Sequence, residues 1–253
     1  MAHIISIVNQ KGGVGKTTTA VNLAAGLGML GKRTLLIDID PQGNSTSGYG
    51  VSKRDTKFSS YHLLTNTAKI KSVIVETQFE NVDLVPSGMD LAGAEIEMID
   101  LDNRESVLKR AVAEVYDYYD YILLDCPPSL SLITINALVA SDGVLVPIQC
   151  EYYALEGLSQ LMATVRLVKQ KYNPELDLEG VLLTMYDGRL NLTQQVVGEV
   201  KRFFPRKVFS TVVPRTVRLS EAPSYGLPIQ YYDKGNKGAK AYNALAEEID
   251  KKK

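Results

Sequence analysis

A chain of 253 residues, 45% of them hydrophobic, is long enough to fill the core of a single α/β domain. Its formal net charge of -1, from 28 basic and 29 acidic residues, excludes global attraction to nucleic acid or to an anionic membrane, so any such contact must come from a local patch. Two cysteines, Cys126 and Cys150, lie in apolar strand-like surroundings without metal-ligand spacing, and read as core thiols of a reducing compartment.

In chain order, short β-branched runs are predicted at 4–8, 34–39, 82–86, 121–125, 143–148, 180–185 and 207–213. Helical-period segments at 16–30, 105–116, 155–171 and 192–204 alternate with them. This order predicts a doubly wound α/β fold, a mostly parallel sheet flanked by helices, as one domain over 1–253. Chemistry is then expected just beyond the carboxyl ends of the strands. Segment 47–81, the least regular, reads as a surface excursion carrying small helices. The apolar stretch 121–148 is interrupted by Asp125, Pro127, Pro128, Asp142 and Pro147, so no membrane-spanning helix is expected. The first residues carry no basic leader, and a cytoplasmic location is expected.

After the first strand comes Asn9-Gln10-Lys11-Gly12-Gly13-Val14-Gly15-Lys16-Thr17-Thr18, followed by the helical pattern Ala20, Leu23, Ala24, Leu27. A glycine-rich turn between a strand and a helix N-terminus is the setting of a phosphate-binding loop. Glycines let backbone N–H groups face a polyphosphate, Lys16 reaches its outer oxygens, and the Thr17 hydroxyl suits Mg²⁺. Residues 11–18, that is Lys11, Gly12, Gly13, Val14, Gly15, Lys16, Thr17 and Thr18, form the candidate nucleotide-binding set.

The second strand ends in Asp38-Ile39-Asp40-Pro41-Gln42, where alternation puts both acids on one side of an extended chain. The run 121–125 delivers Asp125 at the tip of an apolar strand, the arrangement in which a carboxylate holds Mg²⁺ through water. No Asn-Lys-x-Asp string of guanine-binding switches occurs, so adenine is favoured, with Met185, Pro214 and Arg215 as candidates for covering the base. ATP or ADP with Mg²⁺ is the implied ligand pair. Stretch 189–218 holds Arg189, Lys201, Arg202, Arg206, Lys207, Arg215 and Arg218 against the single acid Glu199, and reads as a local basic patch for phosphate contacts with DNA.

The form Lys-Gly-Gly-x-Gly-Lys-Thr-Thr at 11–18 resembles the deviant Walker A family, which includes the ParA/Soj partition ATPases, the MinD division-site regulators and the nitrogenase iron proteins. Stretches 91–97, 150–157 and 214–226 resemble the chromosomal ParA/Soj branch, and the likeness runs through essentially the whole chain. The resemblance implies that Lys11 acts in trans across a nucleotide-sandwich homodimer, that Asp40 orients the attacking water and that Asp38 belongs to the metal region. Lys11, Lys16 and Asp40 are thereby the candidate catalytic residues. It further implies nonspecific binding of double-stranded DNA by the ATP dimer, pointing most directly to Arg189 and Arg218, a nucleoid-associated protein, and slow hydrolysis stimulated by a ParB-type centromere-binding partner. Departures narrow the branch. No helix-turn-helix extension precedes the loop, so operator-specific repression is not expected. The tail 239–253 carries Glu247, Glu248 and Asp250 with little large apolar surface, which disfavours a MinD-like membrane anchor. Neither cysteine suits an iron–sulfur reductase. Two other classes are a nucleotide-gated regulator of a protein such as a replication initiator, and a biosynthetic ligase activating a carboxylate.

Overall fold

The computed structural model describes residues 1–151 and 154–252. Its strands are β1 (His3–Ile7), β2 (Thr34–Asp38), β3 (Val75–Glu76), β4 (Val82–Val85), β5 (Tyr121–Asp125), β6 (Gly143–Gln149), β7 (Asp177–Tyr186) and β8 (Val208–Pro214). They form one sheet in the order β3-β4-β2-β5-β1-β6-β7-β8, and every pairing is parallel except β3 with β4. The predicted doubly wound α/β architecture is therefore present. β3 is an addition, since a two-residue edge strand carries no periodicity of its own.

The central strands are apolar on both faces, as a sheet covered by two helix layers requires. Alternation sends Ile4, Leu35, Ile37, Ile122 and Leu124 into one layer, and Ile5, Ile7, Leu36, Tyr121 and Leu123 into the other. Helices Val107–Ala113, Leu132–Ala140, Ala154–Lys171 and Asn191–Phe203 cover the first face, and helices Lys16–Met29 and Lys237–Asp250 cover the second. Helix Leu132–Ala140 has no expectation behind it because it is apolar all round, which erases the amphipathic period.

Two readings need correction. Segment 47–81 is more than a surface excursion, because Leu63, Leu64, Ile70 and Val73 are buried in the first layer of core. The tail is also less polar than it reads. Helix Lys237–Asp250 turns Tyr242, Leu245, Ala246 and Ile249 onto helix Lys16–Met29 and leaves its charged residues outward. Close approach depends on Gly26, where an added Cβ would lie 3.1 Å from Ala246 Cβ. Among the described residues no helix is long and apolar enough to cross a membrane.

Sheet order positions the site. β1 lies between β5 and β6, and the chain leaves it toward β2 on one side while β6 starts the other half, so the loop after β1 opens at a topological switch point. In-register pairing then sets Ile7 beside Asp125, and Asp125 beside Asp38, at the carboxyl ends of three adjacent strands.

Candidate nucleotide site and basic surface

The loop after β1 turns through Gly13 at φ 74° and Gly15 at φ 91°, a region that disfavours any side chain, and Gly15 leads directly into helix Lys16–Met29. No side chain caps that helix, so its first N–H groups remain open toward the loop, as an anion site needs. Val14 is buried, and its carbonyl accepts a 2.8 Å hydrogen bond from the Thr184 hydroxyl of β7, which fixes the loop against the sheet. Lys16 is nearly enclosed and its Nζ donates to the Lys11 carbonyl at 3.2 Å. Burial lowers the Lys16 pKa, opposed by the charges of Asp125 and Asp40.

Three carboxylates converge beside it. Asp38 is fully buried; its Oδ2 accepts from the Thr46 N–H at 2.8 Å and the Thr46 hydroxyl at 2.7 Å, and its Oδ1 from the Asp40 N–H at 3.2 Å. Asp40 Oδ1 accepts from the Gln42 N–H at 2.9 Å, and its backbone carbonyl from the Ser87 hydroxyl at 2.8 Å. Thr46 Oγ1 in turn accepts from the Ser87 N–H at 2.9 Å. Asp125 Oδ2 accepts from the Ser45 hydroxyl at 2.8 Å, and the nearby Thr17 hydroxyl favours the ionised form of this carboxylate. Burial, then repulsion from Asp38, pushes the Asp125 pKa up to about 8, and burial raises that of Asp38 to about 6 against its Thr46 hydrogen bonds.

A cation fits this place. Asp125 Oδ1 is a buried oxygen with no hydrogen-bond partner, on a carboxylate influenced by the Thr17 hydroxyl and by the charge of Lys16. Among the described residues no group of three or more His, Cys, Asp or Glu could cage a metal. An ion here would therefore draw most of its ligands from water and phosphate, which is the habit of Mg²⁺. Asp38, expected in the metal region, also has a structural role. Both its oxygens are engaged by the segment after β2, so it anchors that segment and adds negative charge, while the unengaged oxygen belongs to Asp125.

The residues expected to cover a base do come together. A cavity of 240 Å³ is bounded by Gly15, Thr18, Met185, Pro214 and Arg215, with Thr184, Leu219, Pro223 and Tyr242 also in its wall. Met185 adopts φ 49°, an uncommon conformation for a side-chain-bearing residue, where β7 ends beside Pro214 of β8. Sequence reasoning missed Ser45, Thr46 and Ser87. The first two directly follow Asp40-Pro41-Gln42-Gly43-Asn44 and were within reach, whereas Ser87 arrives from beyond β4 and carries no signal.

The basic stretch does not form one patch. Helix Asn191–Phe203 runs back between parallel β7 and β8, so Arg189 precedes it at the carboxyl edge while Lys201 and Arg202 in its last turn, and Arg206 beyond it, lie toward the opposite edge. The helical residues before Lys201, rising 1.5 Å each, separate the groups by about 15 Å. Arg218, in helix Val217–Glu221, stays at the Arg189 end. Acids lying outside the stretch also pair with it. Arg189 grips Asp187 with two bonds of 2.9 and 2.6 Å, and Arg218 lies 3.0 Å from Glu221 and 3.7 Å from Asp233. Lys207 contacts Asp177 at 2.8 Å and Arg202 stands 4.0 Å from Glu199. Among the described residues Lys201, Arg206 and Arg215 have no acidic partner within 4.0 Å. Of the stretch 150–157, residues 152–153 lie outside the described residues.

Comparison with known proteins extends this geometry. A family described as an AAA domain matches residues 2–178. The sporulation initiation inhibitor protein Soj of Bacillus subtilis is 58% identical over 249 residues, covering 98% of both chains. The chromosome partitioning protein ParA of Myxococcus xanthus is 52% identical over 252 residues, covering 100% of this chain and 89% of its own. Among solved structures, cobyrinic acid a,c-diamide synthase of Mycobacterium smegmatis, with bound ADP and magnesium, superposes with TM-score 0.86 at 36% identity over 98% of this chain and 93% of its own. The first two share far more residues than the synthase over nearly equal lengths. With a glycine-rich loop carrying Lys11, a strand-tip Asp125 and more than half of its residues identical to Soj and ParA along nearly the whole chain, the chain belongs to the ParA/Soj family of partitioning ATPases.

Proposed function

We propose that this chain is a single-domain, ATP-gated partition switch, cytoplasmic and nucleoid-associated, that dimerises around ATP and Mg²⁺, binds double-stranded DNA without sequence preference, and is reset by hydrolysis under a ParB-type partner. The carrying observation is the unpartnered Asp125 Oδ1 beside Thr17 and Lys16, beyond a loop whose glycines leave the N–H groups open. Lys16 and the loop hold the phosphates; Thr17 and Asp125 hold Mg²⁺, directly or through water, which would neutralise charge developing on the phosphates. Asp40 orients the attacking water, while Asp38 keeps the segment bearing Asp40 in place through Thr46. Met185, Pro214 and Arg215 enclose the base. Lys11, half-exposed at the rim, reaches the nucleotide of the facing protomer.

DNA contact falls to Arg189, Arg215 and Arg218 at the carboxyl edge, with Lys201, Arg202 and Arg206 as a second, separate footing. Binding would be salt-sensitive, because each phosphate neutralised releases counterions. The test is cosedimentation with nonspecific duplex DNA under ADP and under ATP with Asp40→Ala, at low and moderate salt. Binding only with ATP, and lost with Arg189→Glu, supports the switch. Equal or absent binding in both states refutes it. The pairing of Arg189 and Arg218 with acids favours one other reading, a nucleotide-gated regulator of a protein such as a replication initiator with DNA binding incidental, and the name of the Bacillus subtilis relative is that of an inhibitor.

A further inference from the structure

Lys11 is not idle. Its ammonium lies 2.7 Å from Glu151 Oε2, just past the carboxyl end of β6, and the other oxygen of that carboxylate accepts from Gln149 Nε2 at 2.6 Å. The Glu151 N–H also returns to the Gln149 carbonyl at 2.8 Å, so the acid is oriented by its own strand end rather than swinging freely. The lysine is tethered at its other end: its N–H donates to Asn9 Oδ1 at 3.0 Å, while Asn9 Nδ2 donates to the Pro147 carbonyl of β6 at 2.7 Å. Two independent ties thus bind the start of the phosphate loop to the end of β6, and one of them occupies the charge that the facing protomer's nucleotide would require.

We propose that Glu151 is a positioning residue that holds Lys11 in cis until dimerisation, so that the lysine exchanges one anionic partner, the Glu151 carboxylate, for another, the phosphate of the facing protomer. The inference rests on the reading that Lys11 acts in trans. Exchange suits the lysine: a flexible ammonium makes no geometric demand that only one anion meets. A site lacking the counter-ion would leave the ammonium hydrated and free to sample the interface, whereas the pair sets a threshold that only a polyphosphate clears. Both side chains are partly exposed, 39% and 49%, so the threshold is modest. Exposed pairs of this kind correspond to about 1.5- to 5-fold in an equilibrium constant, and two lysines move in a symmetric dimer, giving about 2- to 25-fold in its dissociation constant.

The experiment measures the dimer dissociation constant by sedimentation velocity with ATP and Mg²⁺ in the Asp40→Ala background, and ADP affinity of the monomer by titration. Glu151→Gln is expected to tighten the dimer several-fold with ADP affinity unchanged, and Glu151→Asp, which keeps the charge, to stay near the parent. The Glu151→Gln advantage should shrink toward none as salt rises, because salt screens the pair that the substitution removes. Lys11→Ala separates the two ideas. If Lys11→Ala dimerises like the parent, action in trans is wrong and the exchange falls with it. If Lys11→Ala abolishes the dimer while Glu151→Gln leaves it unchanged or weakens it, action in trans stands and the role of Glu151 is overturned. Weakened ADP binding in Glu151→Gln would also overturn it, since the residue would then shape the pocket itself.

Discussion

Replacing Thr46 by valine keeps the volume of a fully buried side chain and deletes one oxygen that serves two partners. Its hydroxyl donates to Asp38 Oδ2 at 2.7 Å and accepts from the Ser87 N–H at 2.9 Å. A hydrogen bond to a charged group contributes about 1.5–3 kcal/mol, and a buried N–H left without an acceptor costs about 1–3 kcal/mol. Thr46→Val is therefore expected to lose about 2.5–6 kcal/mol at pH 8, above the raised Asp38 pKa of about 6. Thr46→Ser keeps the hydroxyl and removes one methyl, for a loss of about 1 kcal/mol. Urea denaturation of both variants without nucleotide is the assay. A Thr46→Val protein within 1 kcal/mol of the parent, or a serine variant as weak as the valine one, would refute the clamp.

Two further outcomes concern the scaffold. His3 sits between Glu179, 3.0 Å away, and Asp142, 3.5 Å away, and hydrogen bonds to these acids raise its pKa from 6.5 to about 9. A raised pKa stabilises the fold fully below the unfolded value near 6.5, and that stability fades as pH climbs through about 9. His3→Gln should thus cost about 2 kcal/mol at pH 6, discounted because Asp142 is half-exposed, and almost nothing at pH 10; a gap that is flat across denaturation series in this range contradicts it. In helix Lys16–Met29, Gly28 faces the Glu80 carbonyl and Val82 so closely that a Cβ would collide with both, whereas at Gly93 nothing lies within 4 Å. Gly28→Ala should lose about 1–3 kcal/mol despite its better helix propensity, and Gly93→Ala should gain up to about 1 kcal/mol, both read by chemical denaturation.

The sheet, the loop and the strand-tip acids were legible because each has a local signature: β-branched runs, glycines before Lys16, an acid closing an apolar run. What stayed hidden was long-range. Thr46 and Ser87 meet across a buried hydrogen bond joining segments either side of β4, and no spacing announces such a pair. Counting charge along 189–218 made the stretch look basic, yet the neutralising acids Asp187, Glu221 and Asp233 lie outside its bounds. The direction of helix Asn191–Phe203 then divides what the sequence lists together. Glu151 was inside a stretch noticed only for its resemblance, although its nearness to Lys11 is a product of β1 and β6 lying side by side.

The phosphate loop is encoded near the start of the chain, but little of what holds it is. β1 has no sheet neighbour until β5 and β6 are made, the cavity beside the loop is walled by Pro214, and Tyr242 supplies the hydroxyl that meets Thr19 at 3.2 Å behind the loop. A nascent chain therefore carries the glycine-rich loop well before Thr184, Pro214 and Tyr242, which stand behind it. The loop alone is thus a motif without walls, and its fixed shape depends on contacts made across long stretches of chain.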